Sequence, residues 1–182
     1  ANGDDGKPIM WRVKIVEGKD WPKKANGQWA FPSEFPAGFG KTTTTMLELT
    51  KPIHGKGKVV VGDSRFCVQE GVIECHKHGV WFQAYVKKRG NWPRGVPGEV
   101  INGYFDDLPL SHCETYVRMH DNVEFRVHCC RDSKYVAKIM SMHGMLETRE
   151  DHPTYRKVDG QWKSFKYTEP FSRYCHAKQS SS

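Results

Sequence analysis

Asp63 closes the clearest strand signal in the chain, Lys58-Val59-Val60-Val61-Gly62-Asp63. A short β-branched run bounded by glycine reads as a buried strand, because branched side chains pack well on a pleated, covered surface. An acid at the carboxyl end of such a strand stands where open α/β sheets bind ligands. Position alone leaves two roles open. Asp63 is a metal-binding or catalytic carboxylate, or else Asp63 or its neighbour Ser64 caps the helix that follows, a place both residue types favour.

Lys87, Lys88, Arg89, Trp92 and Arg94 form a second chemical group, a basic loop with an interleaved aromatic. Such a loop can track phosphates and stack on a base. The alternative is a solvated loop with Trp92 packed against the fold. Histidines and cysteines crowd together at Cys75-His76-Lys77-His78, His112-Cys113, His128-Cys129-Cys130 and Cys175-His176. Structural zinc pairs its ligands at C-x-x-C or H-x-x-x-H spacing. That spacing is missing, so the expectation is buried thiols and surface histidines. A Cys–His nucleophile pair stays open but has no orienting motif. No P-loop and no G-x-S-x-G occurs. Asp106-Asp107, before Leu108-Pro109, reads as a solvated turn.

The elements that must position these groups follow from periodicity. Trp11 to Ile15 alternates apolar and polar and reads as a strand within residues 9–16. Residues 18–40, rich in Gly, Pro, Lys and Trp, read as an irregular loop. Thr42 to Leu49 reads as a helix whose threonine run caps its start, ended by Lys51-Pro52. Phe66 to His78 reads as a second helix, with Phe66, Val68, Val72, Ile73 and Cys75 inward and Gly79 as its left-handed cap. Val80 to Val86 is the next strand. Strand, helix and strand with short connections predict a parallel pair joined by a right-handed crossover.

Further on, Tyr116–His120 and Val123–His128 flank Asp121-Asn122, a two-residue hairpin signal with Val123, Phe125 and Val127 inward. Lys134 to His143 reads as a strand, Arg149 to Gly160 as polar loop, Trp162 to Tyr167 as a strand, and Pro170 to Lys178 as a short helix. The class is α/β, bordering on α+β: a mixed sheet with at least one parallel pair, a helix against it, and extra β hairpins.

The chain has 182 residues, 37% of them hydrophobic and 27% charged, which suits one folded domain. Its net charge of +7 favours polyanionic partners through phosphate neutralisation. The six cysteines show no disulfide framework and read as reduced thiols of a cytosolic or nuclear protein. No apolar run is long enough to span a membrane, and the polar start Ala1-Asn2-Gly3-Asp4-Asp5 is no signal peptide. Without an initiator Met, the chain is expected to be a piece of a longer protein or a processed product.

The residues then meet a family. Leu47-Glu48-Leu49-Thr50-Lys51-Pro52-Ile53-His54-Gly55, followed by Val59-Val60-Val61-Gly62-Asp63-Ser64-Arg65-Phe66, resembles the piggyBac transposases. In that family a helix ending L-x-K-P-x-H-G leads into a hydrophobic strand ending D-[NS]-x-[FY]. The stretch His78 to Arg89 is similar to the family's next strand, which runs into basic residues. Trp92-Pro93-Arg94-Gly95-Val96-Pro97-Gly98 resembles a variant branch of the family. Lys166-Tyr167-Thr168-Glu169-Pro170-Phe171 resembles the approach to its last motif.

The resemblance implies a ribonuclease-H-like fold, nuclear location, and DNA as partner, with a homodimer as an arrangement open to it. It implies three aspartates that bind two Mg²⁺ (or Mn²⁺) ions for cleavage and strand transfer at transposon ends and TTAA targets. Asp63 falls on the second aspartate, as catalytic residue and metal ligand. The first is expected before Ala1, and the third in a G-[GA]-V-D context where this chain has Gln179-Ser180-Ser181-Ser182. Asp4 and Asp5, in a turn between strands, are no substitutes. One carboxylate holds Mg²⁺ poorly. The expectation is a transposase-derived domain whose parent activity is DNA cleavage and joining, inactive as this chain alone. A non-catalytic DNA-binding module and an unrelated basic α/β protein-interaction domain are the alternatives. The expected organisation is a partial catalytic core at 1–98, a β-rich continuation at 99–168, and a helix and tail at 169–182.

Overall fold

β1 (Lys58–Gly62) and β2 (Val80–Tyr85) pair in parallel, Lys58 opposite Val80 and Gly62 opposite Ala84. This is the parallel pair that strand–helix–strand spacing predicts. The computed structural model describes residues 35, 38–86, 97–132, 135–142 and 148–179. The strand expected at 9–16, most of the loop at 18–40 and the basic residues Lys87, Lys88, Arg89, Trp92 and Arg94 lie outside these.

Between β1 and β2 runs α2 (Gln69–Lys77), with Val72, Ile73 and Cys75 buried as expected. It starts three residues later than the apolar pattern suggests, because Asp63 folds residues 63–66 into a turn and Val68 stays extended. Gly79 takes a φ of 68° after the helix, the left-handed geometry expected of it. A Cβ there would sit 3.1 Å from the Gly55 Cα, so the site also needs glycine for close backbone approach.

α1 (Lys41–Thr50) packs on α2. Its threonines do not cap it. Gly40 is the N-cap residue, and the Thr45 and Thr50 hydroxyls instead donate back to the Lys41 and Met46 carbonyls at 2.9 Å. The helix gives way to one 3-10 turn at Lys51–Ile53, where Pro52 has no amide to donate.

β3 (Cys113–His120), β4 (Val123–Arg131) and β5 (Val136–Ser141) form an antiparallel meander, and β5 also pairs with β2. The result is one five-stranded mixed sheet of order β1-β2-β5-β4-β3. It draws strands from both sides of residue 98. Asp121 and Asn122 link β3 to β4 with φ of 49° and 59°, the doubly left-handed turn that matches strand twist.

The sheet is covered on both faces. On one, Met46, Leu47, Val72 and Cys75 of the first two helices bury against Val80, Phe82, Phe125 and Met140. Beside them α3 (Gly98–Asp106) seats Ile101 and Phe105 on Val127, Cys129 and Val136. The predicted inward set Val123, Phe125 and Val127 is buried here. On the other face, Cys130, Ala137 and Ile139 pack under Phe165, Tyr167 and Phe171. Those residues come from a separate ribbon, β6 (Thr148–Val158) with β7 (Gln161–Thr168), and from α4 (Glu169–Gln179).

Two elements depart from the sequence expectation. β6 replaces the polar loop read at Arg149 to Gly160, and α3 occupies a stretch that carries no helix signal. The α/β class holds: a mixed sheet, flanking helices and an extra hairpin. Among the described residues no helix is long and apolar enough to cross a membrane.

Candidate functional site at the carboxyl end of β1

Val59, Val60 and Val61 fix β1 against β2, and the strand ends at Gly62. A Cβ on Gly62 would lie 3.0 Å from the Phe82 ring and 3.1 Å from the Phe66 Cβ. Glycine therefore lets two aromatic residues clamp the strand end. Immediately beyond, Asp63 is exposed. Its Oδ1 accepts from the Arg65 amide at 2.8 Å and its carbonyl from the Phe66 amide at 3.1 Å. This is an aspartate turn, in which the side chain mimics the backbone. The N-cap residue of α2 is Val68, with no side-chain cap. Asp63 and Ser64 thus do not cap that helix, and the capping role left open by sequence position is set aside.

α4 docks beside this strand end. The Gln83 side-chain amide of β2 donates to the Pro170 carbonyl, and the Tyr85 and Tyr174 rings lie 5.7 Å apart. Burial raises the Tyr174 phenol pKa, and the nearby Asp63 charge raises it further. The fold thus brings together Asp63 and α4, the helix that begins within Lys166-Tyr167-Thr168-Glu169-Pro170-Phe171.

A buried polar group supports the same end of the sheet. The Asp132 carboxylate follows β4 and pairs with Arg156 of β6 at 3.5 Å. Arg156 Nε also donates to the Tyr167 hydroxyl at 3.0 Å. Tyr135 hydrogen-bonds both Asp132 and Tyr85, and burial raises the phenols of Tyr85, Tyr135 and Tyr167. Sequence reasoning passes over Asp132. Arg131-Asp132-Ser133 has the look of any polar strand end, and no local pattern announces a buried carboxylate.

The thiols are buried as expected at Cys67, Cys75, Cys129 and Cys130, with Cys113 and Cys175 half-buried. Burial pushes Cys67 and Cys129 up to about 12 and Cys75 to about 11, so none of these three is a ready thiolate. His78 and His176 are exposed as expected, but His128 departs from expectation. His128 is fully buried, its Nδ1 2.8 Å from the Thr115 hydroxyl. His54 is half-buried and stacks on His78 at 4.5 Å. Asp106 ends α3 and meets Arg131 at 3.4 Å, and both it and Asp107 are exposed, as expected.

Magnesium or manganese would need several oxygen ligands here. Among the described residues no three His, Cys, Asp or Glu side chains converge as a metal site. Asp63 with its described neighbours does not make a metal centre by itself.

No protein-family model and no curated protein matches the chain. A solved structure similar in fold is the cryo-electron-microscopy structure of a piggyBac transposase synaptic complex with hairpin DNA. The TM-score is 0.53 at 13% identity, and the match covers 81% of this chain but 27% of that one.

Proposed function

We propose that this chain is a piggyBac-transposase-derived domain that binds DNA, with Asp63 at a metal-holding position of the parent active site. The carrying observation is the exposed Asp63 carboxylate at the end of β1, beside α4, in a fold that a DNA-bound transposase shares over 81% of the chain. The parent reaction is cleavage and joining of DNA strands assisted by divalent metal. A single carboxylate does not support that reaction, so this chain on its own binds DNA without cutting it. The +7 net charge supports a polyanionic partner.

The test is a labelled DNA duplex titrated with the 182-residue chain at graded salt, with and without Mn²⁺. Binding should weaken steeply with salt, by about 0.9 log units per log unit of salt for each phosphate neutralised. Asp63→Asn should keep the metal-free affinity and lose any gain from Mn²⁺. Absent or salt-insensitive binding would overturn the reading in favour of a protein-interaction domain. Metal-dependent cleavage that survives Asp63→Asn would remove Asp63 from the chemistry.

A further inference from the structure

The β6–β7 ribbon presents two faces with opposite character. The inner face carries Val158, Phe165 and Tyr167 into the core. On the outer face, Tyr155 stands opposite Ser164 and Lys157 opposite Trp162, with Lys166 further along β7. Strand alternation puts all five on one side, and all five are exposed. Trp162 is 72% exposed and Tyr155 61%, the first being the most exposed large apolar side chain among the described residues. As diagonal cross-strand neighbours, their side chains are about 7–8 Å apart. Among the described residues neither ring belongs to a core cluster.

The surrounding charge says what such a face attracts. Lys157 and Lys166 share the face with the two rings, and no acid stands on it between residues 154 and 158 or between 161 and 166. Two outward rings flanked by lysines present stacking surfaces and phosphate contacts together, the combination that holds an unpaired strand. A duplex keeps its base faces covered and has no use for the rings. A purely apolar protein partner has no use for the lysines.

We propose that the outer face of the β6–β7 ribbon is a single-stranded nucleic-acid site, with Trp162 and Tyr155 stacking on bases and Lys157 contacting phosphate. It uses residues other than those of the Asp63 site and rests on the nucleic-acid reading above. It adds an unpaired strand as the ligand class.

The experiment compares a labelled thymidine oligonucleotide with a labelled duplex, using the 182-residue chain and its Trp162→Ala, Tyr155→Ala and Lys157→Ala variants. These side chains are exposed, so the variants should fold, and circular dichroism checks this. Trp162→Ala should weaken oligonucleotide binding about tenfold or more while changing duplex binding little. Lys157→Ala should lower the single-strand salt slope by about 0.7. Wild-type affinity in the folded Trp162→Ala variant would overturn the proposal. So would duplex binding with no oligonucleotide binding, which leaves the Asp63 reading standing. Failure to bind either ligand would sink both. Loss of self-association in Trp162→Ala with unchanged oligonucleotide binding would reassign the face to protein docking.

Discussion

Asp132 and Arg156 tie the ribbon to the sheet across an asymmetric ion pair. The carboxylate is 2% exposed and the guanidinium 41% exposed, with Nε to Oδ2 at 3.5 Å. Losing one partner therefore differs from losing the other. Arg156→Met leaves a buried carboxylate without its cation and should cost about 2–3 kcal/mol, whereas Asp132→Asn lets a half-exposed guanidinium turn to water and should cost less. Urea denaturation of both variants measures the difference. Equal losses would mean that the pair does not carry the asymmetry its burial implies.

Gly62 is the second test of how the site is held. An added methyl at 3.0 Å from the buried Phe82 ring has no room unless the aromatic clamp opens. Gly62→Ala should destabilise by about 1–3 kcal/mol, the usual range for overpacking. It should also lift the Asp63 turn. A thermal melt identical to wild type would show that Phe82 and Phe66 yield freely and do not fix the strand end.

How far these relationships are legible in the sequence varies by element. The β3–β4 hairpin is legible because local pattern and burial agree: Asp121-Asn122 supplies the left-handed turn that puts Val123, Phe125 and Val127 inside. β1 is legible as a strand from its β-branched run, but not as the buried strand expected, because it ends the described sheet and Val59, Val60 and Val61 are only half-buried. β6 is hidden because its inner face reads Thr154, Arg156, Val158, where a paired arginine stands in for an apolar residue. Asp159-Gly160, with φ of 50° and 82°, is the hairpin signal that points to it.

α3 is hidden for a different reason. Gly98, Asn102 and Gly103 are poor helix formers, and only Ile101 and Phe105, four residues apart, face the core. Asp63 is legible as a strand-end acid, but its turn is not, since capping the next helix is equally open from spacing. The docking of α4 beside it depends on Gln83–Pro170 and Tyr85–Tyr174, pairs remote in sequence.

His128 makes stability depend on pH. Burial and the neighbouring Arg126 charge hold its pKa down at about 4, against 6.5 for the ordinary side chain. Above pH 6.5 the imidazole is neutral in both folded and unfolded chains and no stability is lost. Below it the unfolded chain takes up a proton that the folded one refuses. Stability should then fall as pH drops from about 6.5 to about 4, by about 3 kcal/mol in all. His54, lowered by burial and by His78, adds to the same trend. His128→Gln should flatten the fall in urea midpoint between neutral and mildly acidic pH, leaving the His54 share. An unchanged slope would mean that His128 is protonated in the folded chain.

The basic loop gives the last prediction, one that separates positioning on phosphates from mere net charge. Lys87, Lys88 and Arg94 are expected to neutralise DNA phosphates, and each neutralised phosphate releases counterions. Replacing all three with Ala should weaken duplex binding at low salt and reduce its log–log salt slope by about 0.9 for every phosphate left without its cation. Replacing three exposed lysines elsewhere, Lys56, Lys58 and Lys77, removes the same charge and should leave the slope nearly unchanged. Those residues flank β1 and α2 at the end opposite Asp63. Equal effects of the two triple variants would mean that binding follows net charge alone, and the loop at Lys87 to Arg94 would be an ordinary solvated connection.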